Sequence, residues 1–132
     1  MAPQHVNPSG VSKPNYYSHV VTSDSGKVAF ISGQIALDAA GNVVGAGDLA
    51  KQGEQVFENL KACLASVGAT FADVLKFTTY VVNYKPEDRA VIGALRQKYL
   101  TAENAPASTL VGVQALATPD FLIEIECVAA LP

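Results

Sequence analysis

Four stretches of this chain are apolar, or nearly so, at both odd and even positions: FISGQ at 30–34, FTTYVV at 77–82, STLVGV at 108–113 and FLIEIECVA at 121–129. Side chains alternate across a strand, so a run of this kind has two faces to bury rather than one. Against these strands the sequence offers only two helices. The first opens at Asp48, a side-chain N-cap, and repeats Leu49, Val56, Phe57, Leu60, Cys63, Leu64 and Val67 at helical spacing before Gly68 stops it. The second opens around Pro86, Glu87 and Asp88, where proline fits the first turn and acids suit the positive helix end. Its inner stripe is Val91, Ile92, Leu95 and Tyr99. Each helix has one apolar stripe and can cover one surface. The economical arrangement is an α+β fold, a mixed β-sheet with both helices on one face. The other face then lacks cover within the chain, and another copy of the chain could supply it. The expectation is a homo-oligomer with ligand clefts at its seams.

The remaining elements follow from turn chemistry. Residues 1–15 carry Pro and Asn and read as a segment extended along the surface. YYSHVV at 16–21 suits a strand with Tyr17, His19 and Val21 on one side. SDSG at 23–26, DAAGN at 38–42 and ATPD at 117–120 are turns. KVAFISGQ at 27–34 and VLKFTTYVV at 74–82 are further strands. The order is ββ-α-β-α-ββ, read as one domain over residues 1–132, with no repeat or low-complexity linker.

Charge narrows the function classes. Charged residues make up 16% of the chain, against roughly 25% in a typical domain. The nine Lys and Arg are scattered singly, and none follows Lys98. No basic run tracks a phosphate backbone, so no nucleic-acid partner is expected. No apolar run approaches ~20 residues, and the first ten residues lack a signal-peptide core, so the expectation is no membrane partner and a cytoplasmic location. Cys63 and Cys127 have no metal-ligand spacing and read as reduced, apolar thiols. His5 and His19 form no metal motif either, and no metal is expected.

Four short pieces place polar groups beside strand ends. Tyr17 and His19 lie in YYSHVV, where His19 is a candidate neutral base or donor. Ser32 precedes Gly33 without the flanks of a nucleophile elbow, which favours hydrogen bonding over nucleophilic attack. Ser108 and Thr109 open a strand after Pro106. Glu124 and Glu126 share one strand face inside an almost wholly apolar run. Burial there would raise a carboxylate pKa and suit it to carry a proton.

Taken together, FISGQIALD at 30–38, QVFENLKACLASVGATFADVLKFTTYV at 55–81 and PAST…FLIEIECVA at 106–129 resemble the Rid/YjgF family of reactive-intermediate deaminases, also labelled L-PSP endoribonucleases. The resemblance runs from about Asn15 to Leu131. It implies a fold similar to the bacillus type of chorismate mutase, a homotrimer with sheets inward and helices outward, and a small-molecule substrate in three clefts between subunits. It also implies hydrolysis of enamines and imines to 2-keto acids and ammonia without a cofactor. The matching positions are Tyr17, Ser32, Ser108, Leu110 and Glu124. Deaminating members have Arg at the position of Ser108, commonly Cys at that of Leu110, and Asn at that of Gly93.

The missing Arg matters because a bidentate guanidinium grips a carboxylate through charge-assisted hydrogen bonds worth about 1.5–3 kcal/mol each. Arg89 and Arg96 are the remaining guanidinium sources, and outward-facing helices would keep them from the cleft. The expectation is a neutral site: Glu124 handling water, Tyr17, Ser32, Ser108 and Thr109 binding substrate, and a substrate other than a typical 2-imino acid. The alternatives are a non-catalytic trimer binding a metabolite or partner in the same cleft and, more remotely, an endoribonuclease.

Overall fold

The computed structural model describes residues 3–132; Met1 and Ala2, part of the segment read as extended, lie outside the described residues. Six strands and two α-helices follow one another: β1 (Gln4–Val6), β2 (Val20–Thr22), β3 (Val28–Gln34), α1 (Leu49–Ser66), β4 (Val74–Val82), α2 (Asp88–Tyr99), β5 (Ala107–Val113) and β6 (Ile123–Ala130). A four-stranded sheet runs β3-β6-β4-β5, and β1 and β2 form a separate two-stranded ribbon. β6 is antiparallel to β3 and β4, whereas β4 and β5 are parallel, with α2 as the crossover. The fold is therefore α+β with a mixed sheet. No helix of the described residues is long and apolar enough to cross a membrane.

The helices form where capping and spacing put them. Asp48 is extended and accepts the Lys51 N–H at 3.1 Å, so α1 starts there. Gly68 takes φ +75°, a left-handed turn that suits glycine, just beyond its end. Pro86 and Glu87 form the turn that leads into α2, and the helix itself begins at Asp88. Val56, Phe57, Leu60 and Leu64 of α1, with Ile92 and Leu95 of α2, pack on Val74, Phe77 and Val81 of β4 and Ile123, Ile125 and Cys127 of β6. Burying side chains of this size stabilises the fold by about 1.5–3 kcal/mol each. Phe57 stacks on Tyr99 with centroids 4.8 Å apart, which fastens α1 to α2.

Two polar side chains of α1 fasten loops rather than face water. Gln52 is wholly buried, donating to the Asp120 carbonyl at 2.9 Å and accepting the Leu122 N–H at 2.8 Å. Asn59 donates to the carbonyls of Ile35 and Leu37 at 3.0 and 2.9 Å. Both bond to backbone groups just outside the long strands.

The expected strand at 16–21 is corrected. Only Val20–Thr22 is β-structure, paired with Gln4–Val6, within the segment expected to run extended along the surface. Tyr16 has φ +58°, a left-handed conformation that costs a side-chain-bearing residue about 1–2 kcal/mol and interrupts extension. Ser18 is held instead by tertiary bonds: its N–H donates to the Pro106 carbonyl at 2.9 Å, and its hydroxyl donates to the Ala105 carbonyl. His5 Nδ1 sits 2.9 Å from the same carbonyl and 3.1 Å from Ser18 Oγ. This latch ties the first twenty residues to the start of β5.

The sheet face away from the helices is uncovered. Phe30 is 79% exposed there, beside Val28. β4 meets the expectation of two apolar faces less well, because it presents Lys76, Thr78 and Tyr80 on the open side.

Candidate active site

A cavity of about 500 Å³ lies between three walls: residues 12–17, one face of α2 and the inner side of β5. From the entry segment come Lys13, Tyr16 and Tyr17; from α2, Arg89, Gly93 and Arg96; from β5, Ser108 and Leu110. The latch at Ser18 explains why the entry segment lies over β5 at all. His19 reinforces it, donating from Nε2 to the Ser12 carbonyl at 2.7 Å and packing edge-on to Tyr17 at 5.3 Å between centroids. His19 does not line the cavity, so the candidate base of the sequence reading is instead spent on holding the wall.

The expectation of a neutral recess is corrected here. Arg96 is largely buried, and its Nη2 donates to Ser108 Oγ at 2.6 Å. Burial pulls the Arg96 pKa below the usual arginine value, and the group stays charged. Arg89 lines the same cavity two turns earlier. The helix is on the outside of the sheet as expected. Its polar flank borders the entry segment, which folds back over it and covers Arg96, while Arg89 stays exposed at the edge. Arg96 therefore places a guanidinium beside Ser108 of β5. The signal was present in the sequence: Arg89, Gly93 and Arg96 are spaced i, i+4 and i+7 and share one helix face.

The other sequence candidates separate. Adjacent strand residues point to opposite sides, so Ser108 enters the cavity while Thr109 faces the open side and accepts a hydrogen bond from Lys76 Nζ at 2.7 Å. Glu124 and Glu126 also face the open side, in register with Tyr80 and Thr78. Neither is buried in the core as anticipated: Glu124 is half-buried, and Glu126 is exposed and accepts from the Tyr80 hydroxyl at 3.1 Å. Those two acids hold the Tyr80 phenol above its usual pKa, the Glu126 hydrogen bond first.

Glu124 has a shaped place. A Cβ at Gly33 would come within 1.9 Å of its Oε2, so the carboxylate lies directly over the glycine backbone. The β3–β6 register shifts between Ile31 and Gln34, a bulge that contains Ser32 and Gly33. Ser32 is exposed beside it. One chain thus separates the candidates into two groups: Tyr17, Gly93, Ser108 and Leu110 with two arginines in the cavity, and Ser32, Gly33 and Glu124 on the open face. Cys127 contributes to neither; burial pushes its thiol up to about 12.

The profile of the Endoribonuclease L-PSP family matches residues 10–131. The chain belongs to this family, the Rid/YjgF proteins. It is 38% identical to Protein DfrA of Myxococcus xanthus over 113 residues, 86% of this chain and 83% of that protein. It is 35% identical over 108 residues to the 2-iminobutanoate/2-iminopropanoate deaminase of Salmonella typhimurium, covering 80% of this chain and 81% of the relative. The crystal structure of YyfB from Yersinia pestis, a conserved Rid-family protein, superposes with a TM-score of 0.94 at 42% identity, covering 99% of this chain and all of that one. In this chain the cation beside Ser108 comes from α2, at Arg96.

Proposed function

We propose that this Rid protein hydrolyses an imine or enamine whose acid group is held by Arg96. The observation that carries the reading is the Arg96–Ser108 contact inside the cavity that Tyr17 also lines. A guanidinium has five N–H donors, and one goes to Ser108; a carboxylate can take a bidentate pair from the rest. With the acid held, the imine carbon next to it is fixed for attack. Glu124 accepts a proton from water as the oxygen bonds to that carbon, and the imine nitrogen gains a proton. The resulting carbinolamine loses ammonia as the C–N bond breaks and the C=O bond forms. An enamine enters the same path after protonation at carbon. The sum is imine plus water to 2-keto acid plus ammonia, with no redox change.

Glu124 and Ser108 occupy opposite sides of the sheet, so one chain cannot bring both to one substrate. The exposed Phe30 and Val28 on the uncovered face supply an apolar surface for another copy. In the proposed homotrimer, Glu124 and Ser32 of one copy complete the cavity of its neighbour.

The test is an amino-acid oxidase that makes imines in situ, with 2-keto acid and ammonia release followed. Arg96→Ala should raise KM sharply, and Glu124→Gln should depress kcat while assembly is retained. If no imine is hydrolysed while a small acid still occupies the cavity, the chain is a non-catalytic binder and the enzymatic reading fails.

A further inference from the structure

We infer that the cavity selects a substrate with two anionic groups, the second held by Arg89 and Lys13. This rests on the imine-hydrolase reading and specifies its substrate class. The cavity lining contains three cations, Lys13, Arg89 and Arg96, and no carboxylate. The ion pairs of the described residues lie elsewhere, Lys85 with Asp88 and Lys98 with Glu54, so none of the three is neutralised by this chain. One carboxylate balances one of these charges. In the proposed trimer the neighbour's Glu124 offsets another, and Arg89 and Lys13, exposed at the mouth of the cavity, leave a positive charge within reach of a second anion.

The helix face gives the cluster a shape. Arg89 and Arg96 are seven residues apart, two turns and about 10 Å along the axis. Gly93 lies between them on the same face, and a Cβ there would meet nothing within 4 Å. The gap between the arginines is therefore empty for want of a side chain. An elongated ligand can lie along α2 with its imino acid end at Arg96 and its second anion toward Arg89. Lys13 closes the cavity from the entry segment. A substrate with a short apolar tail would leave Arg89 and Lys13 unused.

The experiment compares 2-iminoglutarate and 2-iminosuccinate with 2-iminopropanoate, each generated by an oxidase in the same assay. The dianionic imines should show kcat/KM at least tenfold higher, and Arg89→Ala should bring the ratio toward one. Equal or better use of 2-iminopropanoate overturns the inference and leaves the hydrolase reading standing. If no imine reacts, the hydrolase reading fails, and calorimetric titration decides the selectivity by itself. Glutarate and 3-phosphonopropionate must bind at least tenfold tighter than butyrate, with affinity falling as salt rises. Comparing the first two shows whether the second anion is carboxylate or phosphonate; equal binding of all three overturns the inference. Gly93→Leu is the second variant. Its Cβ has room and its helix gains propensity, so thermal stability should hold or rise while binding of glutarate drops tenfold or more. Unchanged glutarate binding in that variant places the anion elsewhere and overturns the inference.

Discussion

The two sides of the four-stranded sheet do opposite things with charge. On the helix side, three cations ring a cavity with no acid in its lining, and the one strand hydroxyl there, Ser108, is taken by Arg96. On the open side, Glu124 and Glu126 stand near Tyr80, and Lys76 is spent on Thr109. The first arrangement lacks its counter-charge; the second lacks its cover. A small acid would complete the one and another copy of the chain the other. Within one chain, cation and carboxylate are kept on separate faces, so they do not pair before copies meet.

The sharpest way to break this contrast is to remove the cation at the wall. Arg96→Ala should cost two charge-assisted hydrogen bonds, and kcat/KM for a 2-imino acid should fall by two orders of magnitude or more in the oxidase-coupled assay. Loss below threefold would put the acid group elsewhere. Next comes the open face. Gly33→Ala drives a methyl into the Glu124 carboxylate, so kcat should fall roughly as far as in Glu124→Gln, by about 10²-fold or more, with circular dichroism unchanged. Full activity in Gly33→Ala would show that the position of that carboxylate is unimportant. Phe30→Glu puts a charge on the most exposed large apolar side chain among the described residues. Sedimentation should shift from an assembly to the 13.8 kDa single chain, and activity should vanish with it if both groups of residues are needed.

Smaller effects sharpen the helix side. Gln52→Ala leaves the Asp120 carbonyl and Leu122 N–H without their partner, at about 1–3 kcal/mol each, and should lower Tm by several degrees in a scanning calorimeter. The alkaline limit follows from Cys127 and Tyr99, both pushed up to about 12, chiefly by burial. Their folded pKa values exceed the unfolded ones, so the unfolded chain loses those protons first. The stability they contribute is full below about pH 9 and is lost as pH rises toward 12. Urea midpoints measured across that window should fall steadily, and less steeply in Cys127→Ala.

Much of the fold could be read without coordinates. The cap at Asp48, the stop at Gly68, the stripes of both helices apart from Val67, which lies exposed past the end of α1, and the four long strands are local patterns, and each formed within a residue or two of its expected bounds. The segment 16–19 was misread because its β-branched neighbours suggest a strand while its actual partners, Ala105 and Pro106, lie nearly ninety residues away. Grouping Ser108 with Thr109 ignored the alternation that sends them to opposite sides. Keeping Arg89 and Arg96 from the cleft assumed that an outer helix meets only solvent.

What the amino-acid order settled by itself was the two helices, the four long strands, their main apolar faces and membership of the Rid family, because periodicity and motif are properties of neighbouring residues. What tertiary structure alone decided was the charge of the cavity. A helix pattern states the phase of Arg96 around its own axis, and only the return of residues 12–17 over α2, latched through Ser18 to Ala105, determines that this phase faces Ser108 in a recess instead of water.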